Sequence, residues 1–237
     1  MTKFNIAPEP FHEPPPPWID HQVREVDWPV PEDLAMVDLI ELYLEVDAVL
    51  APDRGMAVQF LAASAGPGAS EIALDMAWAA SSILGKKMLV LNCTRQPWTP
   101  WPQASADPGG DGVIRALSRQ PELMKIPDHE MYMADLRAWP GRGVSAAKTD
   151  EIAEHIDHFC RHFDMVLVVA PPADAEPLGA ILSGHVDGNI VVIEAEQTRR
   201  SSAIRLRELL ARCNRPILGA VLHDRQNHMP GWMAQLL

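Results

Sequence analysis

Residues Phe60–Leu74 read FLAASAGPGASEIAL, and this stretch decides the fold. The run Met56–Ala63 (MAVQFLAA) is apolar but for Gln59, as expected of a strand covered on both faces. It enters a turn at Gly66, Pro67 and Gly68. Ala69–Leu84 then continues as a helix of small residues stopped by Gly85. A strand that enters a glycine turn and leaves as a helix is the setting of a phosphate-binding loop. The helix N-terminus there offers unpaired N–H groups and the positive end of its dipole.

The working pattern of such a loop is G-x-x-x-x-G-K-[ST]. Aligned on Pro67 and Gly68, the chain places Ala65 at the first glycine, Ser70 at the second, Glu71 at the lysine and Ile72 at the hydroxyl residue. All the fixed positions are changed. The lysine of the pattern would neutralise phosphate charge, whereas Glu71 adds charge of the same sign. Ile72 has no hydroxyl to offer magnesium.

Outward from this junction, apolar runs alternate with amphipathic stretches. Strands are expected at Lys87–Asn92, near Glu130–Asp135, and at Asp164–Ala170, Asn189–Glu194 and Pro216–Leu222. Helices are expected at Pro31–Leu50, near Val113–Arg119, at Thr149–Phe163 and at Arg200–Cys213. Arg95–Gly112 reads as a Pro/Gly/Trp-rich loop. Buried strands separated by helices imply an α/β fold, a three-layer parallel sheet flanked by helices. Residues 1–31 read as a Pro-rich acidic arm and 32–237 as the domain proper, with 32–50 as its leading helix.

The chain has 237 residues and a net charge of −12. Residues 1–54 hold twelve carboxylates against three basic groups, so most of the excess lies at the N-terminal end. An acidic chain is ill suited to nucleic acid, where Lys and Arg neutralise phosphates. Cys93, Cys160 and Cys213 are far apart and odd in number, which gives no disulfide framework and points to a reducing compartment. No stretch approaches the ~20 apolar residues of a membrane span, so direct membrane insertion is not expected.

The order of elements from Met56 onward resembles the cytoplasmic domain of bacterial tyrosine autokinases of exopolysaccharide export, within the wider MinD/ParA-like P-loop group. Four stretches carry the resemblance: SAGPGASEIALDMAWAASSILGKKMLVLN, FDMVLVVAPPADAEPLGAIL, DGNIVVIEAEQTRRSSAIRLRELLA and RPILGAVLHDRQNHMPGWMAQLL. The resemblance implies a P-loop NTPase-like fold. It also implies an Asp-x-Asp at the end of the second strand, where this chain has Asn92 and Thr94. A further acidic strand end before x-Pro-Pro is matched by Val169. The family carries a C-terminal tyrosine cluster, whereas this chain has two tyrosines in all, Tyr43 and Tyr132.

What the resemblance implies is therefore a degenerate member: a pseudokinase with no catalytic residues, no cofactor and no metal site. It would act as a scaffold or regulator of exopolysaccharide biosynthesis or export. Its partner would be a membrane polysaccharide co-polymerase or synthase component, with a homo-oligomer also allowed. The location would be cytoplasmic, at the inner membrane through that partner. The alternatives are an active ATPase or autokinase using surrogates such as Glu71, Asn92 or Thr94, and a MinD/ParA-like positioning scaffold for envelope or cellulose secretion.

Other residues are candidates for interaction. Trp18 and Trp28 stand in the arm, and Trp98 and Trp101 in the long loop, where they either fill core or form a contact. Arg199, Arg200 and Arg205 belong to the one dense basic segment, which either solvates a helix or docks an acidic peptide. His155, His158 and His162 share one expected helix, at a spacing that either places imidazoles for a metal or, as the amphipathic pattern favours, forms its polar face. Asp187, Glu194 and Glu196 read as solvated carboxylates at strand ends.

Overall fold

The structure is a computed structural model that describes residues 23–25, 36–51, 54–94, 123–135, 146–213 and 215–223. In chain order its elements are β1 (Val23–Glu25), α1 (Met36–Leu50), β2 (Met56–Ala62), α2 (Gly68–Leu84), β3 (Met88–Asn92), β4 (Leu123–Lys125) and β5 (Met131–Asp135). There follow α3 (Ala146–Phe159), β6 (Met165–Val169), α4 (Leu178–Leu182), β7 (Gly188–Glu194), α5 (Arg200–Leu210) and β8 (Ile217–His223).

Among the described residues eight strands form one sheet in the order β1-β4-β5-β3-β6-β2-β7-β8. Every pair is parallel except β4 with β5. The α/β layered architecture expected from the sequence is present, with that antiparallel pair as its one departure. Strands β2, β3 and β6 are buried along their whole length, because helices cover both faces of the sheet. On one face α1 and α2 pack over Val58, Phe60, Val90, Leu167, Val169, Ile190 and Val192. On the other, α3 and α4 cover Ala57, Leu89, Leu91, Val166 and Val168, and α5 covers Leu61 and Val191.

Helix α2 lies close to the sheet because its inner side is built from small residues. Ala73, Ala77 and Ala80 are buried beside Met76 and Trp78. Gly85 ends it in the left-handed conformation at φ 62°, and its N–H bonds to the Ala80 carbonyl, the usual glycine stop. Gly55 lets β2 begin against the end of α3, since a Cβ there would collide with the Phe163 and Cys160 carbonyls.

Three elements were not expected from the sequence. Strand β1 lies within the stretch read as an arm and pairs with β4. Strand β4 and helix α4 are three and five residues long, too short for a periodic signal. Helix α3 ends at Phe159, and Cys160–Phe163 follow as a turn rather than helix. The expected helix near Val113–Arg119, the loop with Trp98 and Trp101, and the segment with Trp18 and Trp28 all lie outside the described residues.

Candidate functional site

In a parallel sheet all the strands end on one edge, where loops from distant parts of the chain meet. Here register brings the ends of β2, β3 and β6 together, with Phe60 beside Val169 and Asn92 beside Val169. The turn from β2 into α2 sits on this edge. The structure thus gathers the predicted positions Ala65, Gly66, Pro67, Gly68, Ser70, Glu71, Ile72, Asn92, Thr94 and Val169 around one strand–turn–helix junction.

Their chemistry differs from place to place. Val169 is buried and apolar. Asn92 is buried, and its Oδ1 accepts from the Thr94 backbone N–H at 3.0 Å and the Thr94 hydroxyl at 2.7 Å. The two side chains thus cap their own turn. Ile72 packs against the core. Glu71 is exposed in the first turn of α2, and its Oε2 lies 3.1 Å from His223 Nε2. One turn further on, burial raises the Asp75 carboxyl to about 6. The nearby Glu71 charge adds to the rise and His223 opposes it.

The start of α2 has an unusual cap. Pro67 stands at the N-cap position, has no side-chain group to cap with, and makes no side-chain cap hydrogen bond. The first helical amide, Gly68 N–H, instead donates to Glu194 Oε1 at 3.0 Å. Glu194 is 2% exposed. Its other oxygen, Oε2, is buried and has no hydrogen-bond partner among the described residues. The carboxyl group fills the concavity of the turn so closely that a Cβ on Gly66 would collide with it. A Cβ on Gly68 would meet both Glu194 Oε1 and the His223 ring.

The sequence reading of Glu194 as a solvated carboxylate is therefore corrected. Register explains the placement. Ala62 pairs with Val192 and Glu194 with His223, so the ends of β7 and β8 run beside the turn. The backbone after Glu194 is fixed as well. Its N–H donates to Thr198 Oγ1 at 3.0 Å, its carbonyl accepts from Thr198 N–H at 2.9 Å, and Glu196 adopts a φ of 64°. Ser64 and Thr198 lie within hydrogen-bond distance, tying this turn to the end of β2. Sequence reasoning thus misread Glu194 and missed His223. Their signal was positional, since both close apolar strands that end on the loop edge.

Asp187 was read with Glu194 as solvated, and it too is engaged. It is half-buried, accepts from Ala57 N–H at 2.9 Å and lies 3.5 Å from Arg54. Glu196 is exposed as expected. Arg199, Arg200 and Arg205 are exposed, with Arg199 at the N-cap of α5 and the other two on its outer surface. His162 is buried, and its ring meets that of His158 edge-on at 5.0 Å. Among the described residues no helix is long and apolar enough to cross a membrane.

Comparison with known proteins extends this picture. No protein-family model matches the chain. A 67-residue stretch is 33% identical to the tyrosine-protein kinase YwqD of Bacillus subtilis, covering 28% of this chain and 28% of YwqD. The kinase domain of the Escherichia coli tyrosine kinase ETK superposes with a TM-score of 0.64 at 13% identity, over 90% of each chain. A plasmid partition protein from Borrelia burgdorferi superposes with a TM-score of 0.52 at 15% identity, over 77% of this chain and 86% of that one. The fold is the one shared by bacterial tyrosine-kinase domains and plasmid partition proteins.

Proposed function

We propose that the chain is a catalytically inactive, tyrosine-autokinase-like protein. In this reading it serves as a scaffold or regulator in bacterial exopolysaccharide biosynthesis or export, at the inner membrane through a membrane co-polymerase. One observation carries the reading. The strand–turn–helix junction has the layout of a phosphate loop, but its lysine position is Glu71 and its neighbouring strand ends are Asn92, Thr94 and Val169. Phosphoryl transfer is catalysed by positioned cations and metal-bound oxygens. This edge presents Glu71 and Glu194 in their place.

The tyrosines support the same reading. Tyr43 is 1% exposed and Tyr132 is 7% exposed, so both hydroxyl-bearing rings are packed in the core. Burial pushes both phenols above their ordinary pKa. Neither is presented as an autophosphorylation target. With the chemistry replaced, the remaining role of the fold is to present surfaces. The exposed arginines of α5 suit an acidic segment of a partner or of a second copy.

Titration of the chain with magnesium-ATP tests the proposal. No saturable binding is expected, and a micromolar dissociation constant would overturn it. The likeness to a plasmid partition protein favours a second reading, a positioning scaffold for envelope or cellulose secretion. The membrane complex with which the chain co-purifies separates the two.

A further inference from the structure

The buried Glu194 carboxyl group has a consequence for what the α2 turn can bind. A helix N-terminus preceded by a glycine turn is an anion seat, because its first amides lack intrahelical acceptors. In this chain the first of those amides is already bonded to an anion-forming group that the chain itself supplies from 126 residues away. The group lies inside the turn, against Gly66 and Gly68, rather than on the surface beside it.

We infer that Glu194 is the resident internal ligand of this anion seat, holding the place that a phosphate or pyrophosphate group would otherwise take. The two glycines make the seat possible, since a side chain at Gly66 would displace the carboxyl group. The turn at Glu194–Thr198 holds the strand end so that the side chain points into the α2 turn. A buried carboxyl oxygen is stable only where hydrogen bonds or charge complement it. Oε1 has the Gly68 amide, whereas Oε2 has no partner among the described residues. The Gly68 amide is thus the group that fixes the carboxyl in the turn, through one oxygen. Glu71 and His223 stand beside the mouth of the seat, 3.1 Å apart, and Glu71 adds negative charge there.

This inference deepens the inactive-kinase reading by naming what fills the loop, and its test fails separately. The probe is inorganic pyrophosphate, titrated calorimetrically into the full chain and three variants. Wild type and Glu194→Gln, which keeps a side chain of the same size in the seat, are expected to show no saturable binding. Glu194→Ala empties the seat, and Glu194→Ala with Glu71→Gln also lowers the repulsion at its mouth. Both are expected to bind, with affinity at least about tenfold above any wild-type signal. If both fold as wild type yet bind no pyrophosphate, or if Glu194→Gln binds as tightly as Glu194→Ala, the inference is overturned.

A measurement on wild type covers the case in which the alanine variants do not fold. A through-hydrogen-bond NMR coupling between the Gly68 amide nitrogen and the Glu194 carboxyl carbon is expected. An uncoupled, rapidly exchanging Gly68 amide overturns the inference. Failure of the inactive-kinase reading would appear elsewhere, as magnesium-ATP turnover by the wild-type chain.

Discussion

The amide of Gly68 donates a hydrogen bond of 3.0 Å to the carboxyl group of Glu194, joining the first residue of α2 to the last residue of β7. This contact does two jobs. It caps a helix whose N-cap residue is a proline, and it puts an acid inside the turn that would have received phosphate. Two acidic groups, Glu71 and Glu194, thus stand about one helix N-terminus, with the His223 ring 3.1 Å from Glu71 and Asp75 one turn further along α2.

Gly66→Ala should destabilise the fold because its Cβ would collide with the Glu194 carboxyl group. The obstacle is the end of a side chain rather than backbone, so a cost of about 1–2 kcal/mol is expected. The same substitution in a Glu194→Ala background should cost less, since the obstacle is gone. Denaturant unfolding of the four chains gives the coupling directly. Additive effects would show that the two groups do not touch. Gly219→Ala is the control, because a Cβ there meets nothing within 4 Å.

Gly55→Ala should be more damaging. The new Cβ would run into the Phe163 and Cys160 carbonyl oxygens, which are backbone and held by the turn after α3. A loss of about 3 kcal/mol or more is expected from such a clash, read as a lowered denaturation midpoint with an unchanged slope. A stability within experimental error of wild type would mean that β2 and the end of α3 lie further apart than described.

Much of this fold was legible in the sequence, and the exceptions have physical causes. Strands β2, β3, β6 and β7 are mostly apolar because helices cover both sheet faces, and such runs announce themselves despite Gln59, Asn92 and Asn189. Strand β4 and helix α4 were missed because three or five residues carry no period. Strand β1 was missed because it sits among prolines and carboxylates and is defined by its pairing with β4. At the site, the replaced loop positions could be read by alignment to a pattern. Glu194 could not, because a carboxylate at a strand end looks solvated until register sets it beside Gly66. That register is a long-range fact, fixed by the order β6-β2-β7-β8 rather than by local sequence.

Asp75 should make stability depend on pH in the direction opposite to a salt-bridged acid. Its ordinary value is 3.8, and burial with the Glu71 charge raises it to about 6 in the folded chain. Between those values the folded chain keeps a proton that the unfolded chain has released, so stability falls as pH rises through the window. Asp75→Asn should therefore raise the melting temperature above pH 6, with the gain disappearing below about pH 4. A gain that is equal at all pH values would mean that ionisation of Asp75 is not its source.

The exposed arginines of α5 should matter to docking and little to folding. Replacing Arg199, Arg200 and Arg205 together by Glu is expected to change stability by roughly 0.5 kcal/mol or less per site, as for surface positions without buried partners. Binding to a membrane co-polymerase's cytoplasmic segment should fall several-fold in a pull-down, with the wild-type interaction weakening as salt rises. Unchanged binding by the triple variant would remove this face from the proposed interface.

The central claim, that this loop holds the chain's own carboxyl group instead of a nucleotide, meets its most direct test in a crystal soaked with ADP and magnesium. The account predicts density for Glu194 on the Gly68 amide and none for phosphate between Gly66 and Ile72. A diphosphate bound in that turn, with Glu194 swung out of it, would contradict the account.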